Sequence, residues 1–113
     1  FETMSLNATV DATVDGDVEF TFEVTNTGPD TVELTFRSGK RADVAVTDTG
    51  TGEEVWRWSQ NRMFTQAIST VELESGDTFD RTFTWSDPPA GDYEAEAALA
   101  ANRSATANTS LSI

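Results

Sequence analysis

Alternation of apolar and polar residues at every second position is the dominant pattern along the chain. It is clearest where Val18, Phe20, Phe22 and Val24 alternate with polar residues. Side chains two positions apart on a strand point to the same face of a sheet, so this period predicts strands with one buried face. Apolar spacing typical of a helix is nearly absent. The chain is therefore predicted to be built from strands.

The same alternation recurs in segments separated by turn residues, and it predicts eight or nine strands. Short strands at this spacing, with no helices between them, are typical of an all-β, immunoglobulin-like β-sandwich with Greek-key connections. A closed barrel is the alternative. The remaining apolar positions expected to face inward are Leu6, Ala8, Val10, Ala12, Val14, Val32, Leu34, Phe36, Ala42, Val44, Val46, Val71, Leu73, Phe79, Phe83, Trp85, Tyr93, Ala95, Ala97, Leu99, Leu111 and Ile113.

Two places in this pattern carry specific expectations. The turn residues Ser38, Gly39 and Lys40 predict a hairpin between the strand that ends near Phe36 and the next strand. Arg81 is one of the alternate positions of its strand, with Phe79, Phe83 and Trp85, that are predicted to face the core. A charged side chain does not suit such a position. A bulge or an edge position would resolve that conflict.

The composition changes nowhere along the 113 residues, so residues 1–113 are predicted to form a single domain without a linker. Seven Phe, three Trp and one Tyr can supply much of one core. Phe1 is not a translation start. We expect residues 1–4 to be disordered or foreign to the natural chain, with Met4 as a possible natural start.

The chain contains no Cys and no His, which removes thiolate chemistry and the commonest general base and metal ligand. A Ser-Lys pair is conceivable at Ser38 and Lys40. A turn, however, leaves the lysine amine in solvent, with nothing to desolvate it so that it could serve as a general base. Paired carboxylates at a cleft are not indicated either. We therefore expect no catalytic residues, no metal site and no cofactor, and a protein that is not an enzyme.

Twenty acidic residues against seven basic ones give a net charge of -13. Such a charge repels nucleic acids and anionic membranes, so neither is expected as a partner. The chain has no run of 18 apolar residues and no visible signal peptide, which predicts a cytoplasmic protein. A chain this acidic, with a single lysine, resembles haloarchaeal cytosolic proteins, whose molar salt screens self-repulsion.

One segment, residues 55–67, differs in composition from the rest of the chain. Trp56 and Trp58 share a face of the predicted strand, and a structural interpretation makes one or both of them core anchors, with Arg57 and Arg62 paired to carboxylates. After Ser59 the alternation fails. A functional interpretation makes the irregular part a loop with exposed anchors, which is where binding residues often lie. The residues of that candidate loop are Gln60, Asn61, Arg62, Met63, Phe64, Thr65 and Gln66.

The stretch Val55-Trp56-Arg57-Trp58-Ser59, followed by Met63-Phe64-Thr65-Gln66-Ala67, resembles the signature of the BsuPI intracellular proteinase inhibitor family. The resemblance extends over about residues 5 to 100. Its further matches are Val24-Thr25-Asn26, Leu34-Thr35-Phe36-Arg37-Ser38-Gly39, Ala42-Asp43-Val44, Ser75-Gly76, Trp85 and Gly91-Asp92-Tyr93.

The resemblance implies an immunoglobulin-like fold and, for the founding member of the family, inhibition of an intracellular subtilisin-type serine protease. We expect this chain to be a monomer whose partner is a protein, such as a subtilisin-like serine protease. We hypothesise that the loop from Gln60 to Gln66 enters the protease cleft as a substrate-like strand, with Met63 or Phe64 in a large apolar pocket. The alternative is a non-inhibitory immunoglobulin-like interaction module in which Trp56, Arg57 and Trp58 are purely structural.

The charge balance generates a prediction about salt. We expect the Tm to rise steeply between dilute buffer and molar KCl, because added ions screen the repulsion among the surplus carboxylates. Thermal unfolding followed by circular dichroism over a KCl series measures this. A flat response would identify the chain as an ordinary acidic domain without salt adaptation.

Overall fold

The computed structural model describes residues 6–60, 63–102 and 105–113, and within them it contains nine strands and no helix. All the strand pairings are antiparallel. The strands are β1 Leu6–Asp15, β2 Asp17–Asn26, β3 Val32–Phe36, β4 Ala42–Asp48, β5 Glu54–Arg57, β6 Ser69–Leu73, β7 Thr78–Trp85, β8 Asp92–Leu99 and β9 Thr106–Ser112.

The strands form three hydrogen-bonded sheets. One has the order β1-β2-β7, a second has the order β5-β4-β8-β9, and β3 pairs with β6 alone. The strands of each sheet are drawn from distant parts of the chain, so the connections cross between sheets. The predicted immunoglobulin-like β-sandwich is confirmed, and because its sheets are separate, the closed-barrel alternative is wrong.

Aromatic side chains join the two larger sheets. Trp56 on β5 lies between Phe20 of β2, at 6.1 Å between ring centroids, and Trp85 of β7, at 5.7 Å. Trp85 in turn meets the ring of Tyr93 on β8 edge-on at 5.1 Å. Stacked and edge-to-face arrangements are those that aromatic pairs prefer. The alternation predicted from the sequence thus places these rings between the sheets.

The predicted hairpin at Ser38, Gly39 and Lys40 is wrong. β3 pairs with β6 and β4 pairs with β5 and β8, so the residues between β3 and β4 cross from one sheet to another. A short turn-like sequence is compatible with either outcome, since the pairing of a strand depends on which distant strand buries its apolar face.

An edge position explains how the charged Arg81 can occupy a predicted core-facing position. β7 pairs with β2 in continuous register from Thr78 to Trp85, without a bulge, and is the outer strand of its sheet. Arg81 stays exposed and its guanidinium lies 4.5 Å from the centroid of the Phe79 ring. A cation over an aromatic face covers apolar surface while the charge keeps its water.

Asn26, at the end of β2, is fully buried and connects three segments. Its side-chain nitrogen donates to the carbonyl oxygens of Asp30 and Leu73, both at 2.7 Å, and its side-chain oxygen accepts from the backbone nitrogen of Gly28 at 3.0 Å. Its backbone also pairs with the turn between β6 and β7. The corner where the chain leaves the β1-β2-β7 sheet therefore depends on one amide.

We predict that Asn26→Ala lowers the free energy of unfolding by about 3 kcal/mol, because it leaves buried backbone groups without partners. Urea unfolding followed by tryptophan fluorescence measures the change. Asn108→Ala, at an exposed position on β9, is the control and is expected to cost less than about 0.5 kcal/mol. Equal effects of the two substitutions would contradict this role for Asn26.

Candidate functional site

The β3–β4, β5–β6 and β8–β9 connections meet at one end of the sandwich. Gly39 donates from its backbone nitrogen to the carbonyl oxygen of Thr65 at 2.7 Å, and Ala100 donates to that of Arg41 at 2.9 Å. These bonds tie three segments that are distant in sequence into one surface. We call it the loop end; it comprises residues 37–41, 58–68 and 100–105, of which 61, 62, 103 and 104 lie outside the described residues.

The two tryptophans of the segment have different surroundings. Trp56 lies among the rings that join the sheets, as described above. Trp58 lies two residues further along the chain, just after the end of β5. Its ring meets Phe83 of β7 edge-on at 4.8 Å and lies 5.6 Å from the ring of Phe64 in the candidate loop. Its backbone nitrogen also donates to the carbonyl oxygen of Val44 at 2.9 Å. Trp58 therefore connects the loop to the core.

The candidate loop divides into anchored and outward-facing residues. Phe64 is half-buried against Trp58, and Thr65 is held through its carbonyl oxygen. Met63, between them and the end of β5, is 98% exposed. Gln60 and Gln66 are exposed as well, and Asn61 and Arg62 lie outside the described residues. The loop is thus fixed by Phe64 and Thr65 while Met63 projects into solvent.

Gly39 allows the β3–β4 connection to approach the loop closely. A Cβ atom built at this position would lie 2.9 Å from the side-chain oxygen of Thr65 and 3.4 Å from its backbone nitrogen. The 2.7 Å hydrogen bond from Gly39 to Thr65 accompanies this close approach, and a Cβ atom here would force at least the Thr65 side chain to shift.

Asp43 on β4 organises the end of β5 beneath the loop. The residue is only 6% exposed, and its carboxylate accepts hydrogen bonds from the backbone nitrogen of Ser59 at 3.0 Å and the hydroxyl of Ser59 at 2.6 Å. Arg57 donates to it at 3.1 Å and Val44 at 2.9 Å. The Lys40 ammonium lies 3.6 Å away. Every lone-pair direction of this buried anion is therefore used.

The electrostatics of Asp43 favour its charged form. Burial by itself would raise the pKa of the carboxyl, but the hydrogen bonds from Ser59 and Arg57 and the nearby Lys40 charge outweigh it and lower that pKa below its ordinary value of 3.8. Arg57 also forms a two-pronged ion pair with Glu54 at 2.7 and 3.3 Å. The carboxylate therefore stays ionised throughout the physiological range.

Sequence reasoning missed Asp43 as part of the site. On β4 it has the parity of the solvent-facing residues, opposite to Ala42 and Val44, so the alternation predicts an exposed carboxylate. It is buried because Ser59 and Arg57, which follow and end β5, fold over it. The signal available in the sequence was the position of Lys40 and Arg41 just before an acid in an otherwise acidic chain.

We predict that Asp43→Asn lowers the free energy of unfolding at pH 7 by about 2 kcal/mol, since it removes charge-assisted hydrogen bonds to Ser59 and Arg57. The folded-state pKa of Asp43 is lowered, so its contribution is complete above pH 3.8 and is lost as the pH falls through the folded-state pKa. The stability difference between the two proteins should accordingly shrink toward zero in strong acid.

Urea unfolding of both proteins at a series of pH values from 7 to 2 measures that difference. Asp11→Asn, which removes an exposed carboxylate on β1, is the matched control and should change stability little at any pH. A stability gap for Asp43→Asn that is the same at pH 7 and in strong acid would show that the ionised carboxylate is not what stabilises the end of β5.

The described residues lack two further kinds of feature. They contain no group of three or more His, Cys, Asp or Glu side chains placed to hold a metal ion. They also contain no helix with the length and apolar content needed to cross a membrane.

Solved structures with low sequence identity share the fold. A β-glucosidase from Kluyveromyces marxianus superposes with a TM-score of 0.54 at 12% identity, covering 96% of this chain and 14% of that one. For a penta-haem cytochrome c552 from Thermochromatium tepidum the TM-score is 0.59 at 9% identity, with 95% and 40% covered. A CARDB domain from Pyrococcus furiosus has a TM-score of 0.51 at 18% identity and matches over 98% and 96%.

The chain thus spans only a small part of the first two of these proteins, and the likeness concerns architecture alone. No curated protein sequence matches the chain significantly. The sequence model described as "BsuPI: Intracellular proteinase inhibitor", by contrast, matches residues 4–104. Because this match takes in nearly the whole chain, including the loop end, the protein belongs to the BsuPI family of intracellular proteinase inhibitors.

Proposed function

We propose that this protein inhibits a subtilisin-type serine protease by inserting the candidate loop into the substrate cleft, with Met63 as the residue that fills the main apolar pocket. The observation that carries the proposal is the 98% exposure of Met63, next to Phe64 and Thr65, which are both held in place. An apolar side chain in solvent gains free energy when a partner's pocket covers it.

The fixation of the loop supports the same role. Phe64 packs on Trp58 and the Thr65 carbonyl accepts from Gly39, so the backbone on the carboxyl side of Met63 is already ordered before any partner binds. A binding segment that is ordered in advance loses less conformational entropy in the complex. From Met63 to Gln66 the candidate loop forms no strand, and its backbone is available to pair with a protease cleft.

The geometry separates the two residues that the sequence left as equal candidates. Phe64 has a core-side contact in Trp58, so moving its ring into a protease pocket would cost that contact. Met63 has no such cost. A flexible, unbranched thioether side chain also adapts to pockets of different shape. We therefore assign the pocket-filling role to Met63 and an anchoring role to Phe64.

The remaining parts of the proposal concern the setting. We propose that residues 1–113 act as one monomeric inhibitor domain in the cytoplasm of a salt-adapted, haloarchaeal-type cell. The family's intracellular character and the net charge of -13 support this setting. The absence of His and Cys from the sequence is consistent with a protein that binds and does not catalyse.

We predict that Met63→Glu weakens inhibition of a subtilisin-type protease by at least about 100-fold, because a carboxylate would have to lose its water in an apolar pocket. The Tm should not change, since the wild-type side chain is exposed. Inhibition constants from progress curves, together with thermal unfolding, measure both quantities.

Ile68→Glu provides a matched control, because Ile68 is 72% exposed and lies just outside the candidate loop. It is expected to reduce affinity no more than about threefold. Undiminished inhibition by Met63→Glu would place the contact elsewhere on the protein. If the wild-type protein inhibits no protease of this class, the interaction-module alternative would replace the proposal.

Phe64→Asp should behave differently from Met63→Glu. We predict that it lowers the Tm as well as the inhibition, because it removes an aromatic contact to Trp58, worth about 1 kcal/mol, and places a charge beside the core. Comparison of the two variants by thermal unfolding tests the division of roles within the loop. An unchanged Tm for Phe64→Asp would contradict the anchoring role.

A further inference from the structure

The β3–β4 connection is the most basic segment of a strongly acidic protein. Residues 37–41 include Arg37, Lys40 and Arg41 and contain no acidic residue. The whole chain has only seven basic residues against twenty acidic ones. Three of the seven basic residues therefore lie within five consecutive positions of the chain, all of them in the loop end.

These three cations are not equally available. Lys40 lies 3.6 Å from the Asp43 carboxylate, and the guanidinium of Arg41 lies over the ring of Phe36 at 4.7 Å. Arg37 is exposed, and in the part of the chain that the structure describes no carboxylate lies within ion-pair distance of it. In a protein with a large surplus of carboxylates, an unpaired arginine is left free to bind an anion from outside.

Arg37 lines a cleft of about 360 Å³ at the loop end. The other lining residues are Thr35, Ser38, Ala100, Ala101 and Asn102. Two of its lining residues, Thr35 and Asn102, are joined by two hydrogen bonds of 2.8 and 3.2 Å. Its volume is ample for an aspartate or glutamate side chain. An arginine fork within such a cleft suits a carboxylate geometrically as well as by charge.

A backbone hydrogen bond connects the segment that carries Arg37 to the candidate loop. Gly39, two residues after Arg37, donates the 2.7 Å hydrogen bond that holds Thr65, and Thr65 is two residues after Met63. A protease that receives Met63 would therefore bring the rim of its cleft over the β3–β4 connection.

The opposite end of the sandwich has the opposite charge. The turns there are linked by hydrogen bonds from Asp87 to Asp17 at 3.1 Å and from Thr49 to Asp92 at 3.2 Å. Residues 15–17, 48–53 and 86–92 contain no Lys or Arg. The acidic residues of this end are Asp15, Asp17, Asp48, Glu53, Asp87 and Asp92.

We infer that the Arg37 cleft is a second contact for the protease and receives a carboxylate side chain from the rim of its substrate cleft. The inference rests on the proposed inhibitory function and adds the charge of the partner surface. An acidic partner is repelled by the acidic end and attracted by residues 37–41, so at low ionic strength the field turns the loop end toward it during the encounter. The partner surface beside the specificity pocket is thus acidic.

Arg37→Gln tests the inference, with Thr51→Asp as the control. Each substitution makes the protein more negative by one charge, and Thr51 lies in the turn at the far end of β4, roughly 20 Å from residues 37–41. The Thr51 hydroxyl accepts from the backbone nitrogen of Glu53 at 3.3 Å, which a carboxylate at that position can also do. The control therefore changes net charge with little change in structure.

The association rate constant and the inhibition constant are measured by stopped-flow and progress-curve kinetics with a subtilisin-type protease at about 0.05 M and 1 M salt. Arg37→Gln should slow association and weaken inhibition about threefold to tenfold at low salt, and by less than about twofold at 1 M, where the Debye length is about 3 Å. Thr51→Asp should change both by less than about twofold at either concentration. The Tm of each variant is measured alongside.

Equal effects of Arg37→Gln and Thr51→Asp would overturn the second contact and leave the Met63 role intact, since wild-type inhibition and its loss in Met63→Glu are read in the same assay. An Arg37→Gln effect that is identical at both salt concentrations would overturn the electrostatic origin. Absence of inhibition by the wild-type protein would overturn both the second contact and the proposed function.

Discussion

The buried carboxylate of Asp43 is the interaction on which the loop end depends. A charge with 6% of its residue exposed is stable only when its lone pairs are used, and here Ser59, Arg57 and the β4 backbone use them. Ser59 is the last residue before the candidate loop. The anion therefore fixes the point from which the loop leaves the sandwich, and it does so through charge-assisted hydrogen bonds that protonation would weaken.

Trp58 performs the corresponding task with apolar contacts. Its ring is shared between Phe83, which belongs to the core, and Phe64, which belongs to the loop. The loop thus gains order from the core without being buried in it. Asp43 thus anchors Ser59 and Trp58 anchors Phe64, and Met63 lies exposed next to Phe64. Fixed points of this kind suit a preorganised binding segment.

The loop end combines a local positive charge with a cleft next to the candidate loop. The protein as a whole is acidic, yet the loop end carries the β3–β4 cations, and two of them are already engaged by Asp43 and Phe36. The remaining guanidinium, of Arg37, lies at a cleft beside the loop. For the acidic partner that we propose, this local reversal of sign would reduce the repulsion that opposes the encounter.

Much of the fold could be predicted because period-2 alternation is a local property. The inward residues of β2, β4 and β8 are buried as the pattern required. β1 is less deeply buried than predicted, since at Val14 it is 42% exposed on the outer strand of its sheet. Which strands pair was not predictable from the pattern. The β3–β4 hairpin was wrong because pairing is decided by distant strands that compete for the same apolar face.

For the site, the sequence by itself determined the family signature, the irregular segment after Ser59 and the identity of two apolar candidates within it. Only the tertiary structure distinguished Phe64 from Met63, since the difference is a contact to Trp58 and Trp58's position depends on Phe83 of β7. Only the tertiary structure buried Asp43, because the residues that cover it, Arg57 and Ser59, come from the end of β5 and the turn after it. Burial is a property of what packs over a residue, and no local period records it.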